Sequence, residues 1–216
     1  MSDARDFTAI DADAGLFQAT YLVPGIVCRT VLQRLDGGGW LAYSPGACLA
    51  NNATPDGQPI ERLVAPNSFH HVGLPKWQAA WPDATAHAAP GALKRLRKKG
   101  RERLSDLDGV RARLHPNCEL IETPHTRIGE TWLVTRGPSG TTWVVCDGFF
   151  NLKKKPKKLM GRILNSIGAM GPGLTISRLY RLAAIKKRRA YKAWLLERIE
   201  ADQPTQIGRA SCRERV

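Results

Sequence analysis

A chain of 216 residues, 43% hydrophobic and 24% charged, can bury a real core in one domain and has the composition of an ordinary soluble globular protein. Its formal charge of +14 is not ordinary: it favours anionic partners such as nucleic acid, acidic lipid or phosphorylated metabolites, and says little about fold. No apolar run approaches the ~18 residues of a membrane span, and the polar, partly acidic start Met1-Ser2-Asp3-Ala4-Arg5-Asp6 does not resemble a secretory signal. Cys28, Cys48, Cys118 and Cys146 lack C-x-x-C spacing, which suits reduced thiols, so the expected location is cytoplasmic.

The N-terminal third reads as antiparallel sheet. Ile26-Val27-Cys28-Arg29-Thr30-Val31-Leu32 is β-branched and partly alternating, Asp36-Gly37-Gly38-Gly39 supplies a permissive turn, and Trp40-Leu41-Ala42-Tyr43 returns as a strand. The stretch from Asn51 to Pro59 is loop chemistry throughout. Leu63-Val64-Ala65 is a short buried strand that stops at Pro66, and a small polar turn then presents His70 and His71 before a helix starts at Leu74-Pro75-Lys76. Pro75 has no amide hydrogen to lose, and its fixed φ suits a first helical turn. Groups held between a strand end and a helix sit where open α/β sheets usually place ligands. Neutral imidazole is also the commonest nitrogen ligand for zinc, although neighbouring histidines more often serve as surface or capping residues.

Trp77 and Trp81 lie four apart on this short helix, so both can face the sheet. Thr85-Ala86-His87-Ala88 reads as another strand in which His87 carries no chemistry. The run from Lys94 to Arg103 is dense in charge; a solvated helix face is the default explanation and a phosphate-contacting surface the sharper one.

A second strand-like run, Cys118-Glu119-Leu120-Ile121-Glu122, also ends near a proline and delivers a histidine, in Thr123-Pro124-His125-Thr126. The runs from Glu130 to Arg136 and from Thr141 to Cys146 flank Gly137-Pro138-Ser139-Gly140, a strong hairpin signal. The second of these strands ends at Asp147-Gly148. Asp before Gly is ordinarily a turn residue, but at the end of an apolar strand a carboxylate can also bind cations. Much of the remaining charge sits at 153–158 (KKKPKK) and along a long amphipathic helix. There Leu179, Leu182, Ile185, Trp194, Leu195 and Ile199 follow helical spacing, and the cations between 178 and 192 load the polar side. Residues 207–216 (IGRASCRERV) read like a translated sequencing adapter, so the expected domain is residues 1–206, C-terminally truncated.

This order of elements resembles the metallo-β-lactamase fold superfamily: a hairpin, a strand ending in a histidine-bearing loop, a strand ending in Thr-Pro-His-Thr, then a hairpin ending in Asp-Gly. The wording Val-Ala-Pro-Asn-x-x-His-His and the segment Asp-Gly-Phe-Phe-Asn look like an uncharacterised bacterial branch of it, a domain of unknown function, over residues 20–206. The resemblance implies an α/β fold, specifically an αββα sandwich, and a metallo-hydrolase-like activity on a small-molecule substrate. The superfamily signature H-x-H-x-D-H falls on Pro66, Asn67, Ser68, Phe69, His70 and His71, so its leading histidines are replaced and only the last survives. A further histidine falls on His125 and the metal-bridging aspartate on Asp147, while the last strand, with its final histidine, would begin near Gln206. The implied metal set is therefore His70, His71, His125 and Asp147, enough for one divalent ion (zinc, manganese or iron) in a reduced, single-metal or degenerate site. Two readings of other kinds stand beside this one. One is a basic non-enzymatic binder of nucleic acid or an anionic membrane surface through segments 94–103, 153–158 and 178–192; the other is a degenerate scaffold that binds a ligand without turnover.

Overall fold

The computed structural model describes residues 6–23, 26–101, 103–152, 173–176, 178–209 and 211–212. The basic run at 153–158 lies outside the described residues. Strands β1 (Thr8–Asp11), β2 (Leu16–Val23), β3 (Ile26–Arg34), β4 (Trp40–Tyr43), β5 (Ile60–Ala65) and β6 (Thr85–Ala88) stand side by side in chain order. The first four run antiparallel, whereas β4, β5 and β6 run parallel to one another. A second sheet has β7 (Cys118–Glu122), β8 (Thr131–Gly137) and β9 (Gly140–Val145) as an antiparallel meander, with β12 (Gln206–Arg209) added parallel to β9. Between these in sequence, β10 (Phe150–Leu152) and β11 (Gly173–Thr175) pair as a ribbon, and β13 (Ser211–Cys212) pairs with Cys28 and Val27 of β3.

The strands that read as unbroken apolar runs do so because both of their faces are covered. In β4, Trp40 and Ala42 pack on one side with Leu63 and Ala65 of β5, beneath α1 (Leu74–Ala80) and α2 (Pro90–Lys98). Leu41 and Tyr43 point the other way, against Leu120, Leu133 and Val144 of the second sheet. The far face of that sheet carries Trp132, Val134, Trp143 and Val145, covered by Tyr180 of α4 (Arg178–Ala183) and by Tyr191 and Leu195 of α5 (Arg188–Asp202). A short α3 (Asp108–Arg111) adds Val110 to the layer between the sheets. The result is helices, sheet, sheet, helices, as the αββα reading requires.

Local chemistry explains the element ends. Pro75 sits in the first turn of α1, and Trp77 and Trp81 on one face of it donate their indole N–H groups to the carbonyls of Gly46 and Ala50 at 2.7 and 3.1 Å. Gly73, just ahead of that helix, passes so close to Pro45 that a Cβ would collide with its carbonyl oxygen. On α2, Ala92 and Leu96 are buried while Lys94, Arg95, Arg97 and Lys98 face solvent. The single long helix expected from Leu179 to Ile199 is corrected: α4 and α5 are separate helices. Between them Ala184 accepts from the Arg127 amide and Lys186 donates its own amide to the His125 carbonyl, each at 2.7 Å. The loop after β7 thus takes the backbone groups that a continuous helix would need.

Candidate metal centre

The parallel pairing of β4 with β5 brings Ser44 and the Pro66 loop to the same end of the molecule. The two sheets are joined there. Thr131 donates its amide to the Pro66 carbonyl at 2.8 Å, Ser68 donates to the Ile128 carbonyl at 3.1 Å, and the buried Tyr43 hydroxyl donates to the Thr131 carbonyl at 2.5 Å. Cys146 and Asp147 leave β9 at this end.

Asn67, fully buried, organises the loop. Its side-chain oxygen accepts the amides of Phe69 and His70 at 2.8 and 3.1 Å, the geometry of an Asx turn. Its side-chain nitrogen donates to Asp147 Oδ2 at 2.8 Å and points at Cys146 Sγ at 3.4 Å. The turn therefore swings His70 towards β9, where its Nε2 lies 3.5 Å from Asp147 Oδ2. The other ring nitrogen, Nδ1, faces Ser44 Oγ at 3.3 Å. Ser44 itself holds a left-handed backbone, φ 55°, which costs a non-glycine residue roughly 1–2 kcal/mol. The conformation is secured by Thr30, whose hydroxyl donates to the Ser44 carbonyl at 2.9 Å and accepts the Gly46 amide at 2.8 Å.

Among the described residues, donor atoms of His70, Cys146 and Asp147 all lie within 4.8 Å of one another. The structure thus brings together His70 and Asp147 from the expected set and adds Cys146. His71 and His125 do not join that group. The His71 side chain is buried, and its Nδ1 has no hydrogen-bond partner among the described residues. Burial, then the charges of Lys99 and Arg101, depress its pKa. His125 is exposed, at φ 59°, with its carbonyl taken by Lys186. His87 is buried in β6 between Thr85 and the Asp106 carbonyl, a packing role.

Beneath Asp147 lies a second carboxylate, Glu130, fully buried. Its Oε1 accepts the Trp132 indole N–H at 2.9 Å and the Gly148 amide at 2.8 Å, and its Oε2 accepts the Tyr180 hydroxyl at 2.9 Å. Burial, and then the Asp147 charge, push its pKa up to about 7, against the lowering effect of those donors. Glu130 fixes the Asp147-Gly148 turn from below as Asn67 fixes it from the side. Neither residue, nor Cys146, figured among the sequence candidates. Their signals were a carboxylate opening an otherwise apolar strand and a thiol immediately before the strand-end aspartate.

A nitrogen, a sulfur and an oxygen donor in one cleft match what zinc takes from proteins, three protein groups with a position left for water. No family model and no curated protein matches the chain. Solved structures do. It is similar to a metallo-β-lactamase from Erythrobacter litoralis at 12% identity and TM-score 0.61, over 94% of this chain and 87% of that one. The likeness to the metallo-β-lactamase FIM-1 from Pseudomonas aeruginosa, in its mono-zinc form, is at 11% identity and TM-score 0.60, over 94% and 86%. The metal-soaked Flv1 flavodiiron core from Synechocystis matches at 12% identity and TM-score 0.57; 97% of this chain aligns but spans only 56% of that one. At such identities the likeness is one of fold.

Proposed function

For a chain that carries the metallo-β-lactamase fold, we propose a metal-dependent hydrolase whose single divalent ion is held by His70, Cys146 and Asp147. The observation that carries this reading is the meeting of those three donors within 4.8 Å at the shared strand end. His71 and His125 stand outside the proposed set. An imidazole, a thiolate and a carboxylate together favour zinc over manganese. A bound ion of this kind supplies Lewis acidity, polarising a carbonyl or phosphoryl oxygen and acidifying water.

The chain's own part is positional. Asn67 holds Asp147 Oδ2, Ser44 sets the tilt of the His70 ring, and Glu130 pins Gly148 so that Asp147 cannot swing away. In the reaction class proposed, water adds across an ester, thioester, amide or phosphodiester bond. Its oxygen goes to the carbonyl carbon or phosphorus and its proton to the departing heteroatom.

The test is equilibrium dialysis of the protein against zinc, manganese and ferrous iron, followed by elemental analysis. One ion per chain is expected, lost in Cys146→Ser and in Asp147→Ala. Full retention in a His70→Ala/Asp147→Ala double variant, or no metal under any condition, overturns the assignment. Ligand-induced thermal stabilisation without metal or turnover supports the non-catalytic scaffold instead. The exposure of Lys94, Arg95, Arg97 and Lys98 on α2, and of Arg181, Lys186, Lys187, Arg188, Arg189 and Lys192 on α4 and α5, favours a second reading. It is contact with nucleic acid or an anionic membrane, expected to weaken steeply with salt and to survive chelators.

A further inference from the structure

A cavity of about 380 Å³ opens beside His70, and the metal reading gives it no occupant. Its walls are mostly apolar and thiol-bearing, lined by Tyr21 and Cys28 from the β2–β3 hairpin and by Ala47 and Cys48. Its rim carries the side chains of Leu22, Phe69 and Val72, which are 40%, 58% and 71% exposed, so an apolar mouth leads into an apolar interior. Such a mouth costs solubility unless it serves a ligand.

One edge of this cavity is chemically different. His71 lines it with its side chain buried and its Nδ1 unpartnered among the described residues. Beyond it stands Lys99, whose ammonium donates to the Ser68 carbonyl at 2.8 Å and lies 5.3 Å from the centre of the Phe69 ring. The positive charge of Arg101 also acts on His71. Two cationic side chains therefore act on the His71 edge of an otherwise apolar cavity, and make it an electropositive seat suited to an anion.

We infer that this cavity binds an amphiphilic anion, a molecule whose alkyl or aryl part fills the apolar space lined by Tyr21 and Ala47 and whose phosphate-type head sits at the His71 edge, in the field of Lys99 and Arg101. That such a molecule is the substrate rests on the hydrolase reading; that it binds does not.

The experiment is calorimetric titration of the chelator-treated, metal-free protein at pH 7 with octyl phosphate, octan-1-ol and inorganic phosphate. Octyl phosphate is expected to bind at least tenfold more tightly than either of the others. Ala47→Trp, which fills the cavity, should weaken octyl phosphate at least tenfold and leave inorganic phosphate unchanged. Val72→Asp, at an exposed position where folding is not at stake, should also weaken octyl phosphate. The pair Lys99→Gln and Arg101→Gln should bring it down to the affinity of octan-1-ol. Equal affinity for octyl phosphate and octan-1-ol in the unaltered protein overturns the anion seat, and indifference to both Ala47→Trp and Val72→Asp overturns the cavity. Octyl phosphate binding without any metal uptake sinks the hydrolase reading and leaves this one standing. Metal-dependent turnover of uncharged esters with no octyl phosphate binding does the reverse.

Discussion

Two loops in this molecule are written alike and behave differently. Each follows a strand, begins near a proline and carries a histidine: Pro66 to Gly73 after β5, and Pro124 to Gly129 after β7. In the first, the Asn67 carboxamide collects two backbone amides on one side and the Asp147 carboxylate on the other, so His70 turns inward. In the second, the capping bond runs from the Thr126 hydroxyl to the Thr123 carbonyl, His125 takes a left-handed backbone, and the Lys186 amide claims its carbonyl. The imidazole is left outside. A histidine's position relative to a strand end does not decide whether its ring turns inward; the hydrogen-bonding capacity of its neighbour at the turn does.

That contrast can be broken most directly at Asn67. Asn67→Ala removes three side-chain hydrogen bonds at once from a half-buried turn, and unfolding by urea should show a loss of about 3 kcal/mol. Zinc affinity in the same variant should fall about tenfold as Asp147 loses its anchor.

Glu130 ties the loops together: its main-chain carbonyl accepts from Thr123, and its side chain holds Gly148. With its pKa raised to about 7 from 4.5, the folded protein keeps a proton that the unfolded chain releases. Between about pH 4.5 and 7 the native state therefore binds more protons. Its contribution to stability is present at the acid end of that window and is lost as pH rises, on the order of 2 kcal/mol across it. Glu130→Gln keeps a neutral hydrogen-bonding group, so denaturation curves at pH 5 and 7.5 should differ less in this variant than in the parent by that amount. An unchanged difference would remove the carboxyl from the account.

The histidines can be compared head to head. His70→Ala should weaken zinc more than about tenfold by competition with a chromophoric chelator, whereas His125→Ala should change it less than about twofold. The smallest effect sharpens the contrast from the other side. His125→Asn puts a residue tolerant of the left-handed region at φ 59°, and should raise stability by about 0.5 kcal/mol without touching the metal.

What the sequence made legible was periodicity. The β8–β9 hairpin follows from Gly137-Pro138-Ser139-Gly140 between apolar runs, and β5, β6 and α1 fall where Leu63-Val64-Ala65, Thr85 to Ala88 and Pro75 place them. Asp147 stood out because a carboxylate closes an apolar strand. The parts that escaped depend on tertiary contact. The break between α4 and α5 exists because the loop after β7 takes the backbone groups of Ala184 and Lys186, and neither sequence stretch announces the other. Cys146 reads as one more buried thiol until the fold sets His70 opposite it. β1 and β2, in which buried residues are interspersed with half-buried or exposed ones and which are separated by a turn at 12–15, lack the unbroken apolar runs that mark β4 and β5.

Trp132 donates its indole N–H to Glu130 while its ring meets Trp143, Trp194 and Phe149 at centroid separations of 5.3, 5.2 and 5.6 Å. The chain thereby carries its own optical gauge. When the carboxyl beneath the cleft gains or loses a proton, the local field on that indole changes, and intrinsic fluorescence registers the event with no label attached. An emission titration that moves near neutrality, and stays flat once the carboxyl is an amide, would follow the charge state of the site's buried floor in real time.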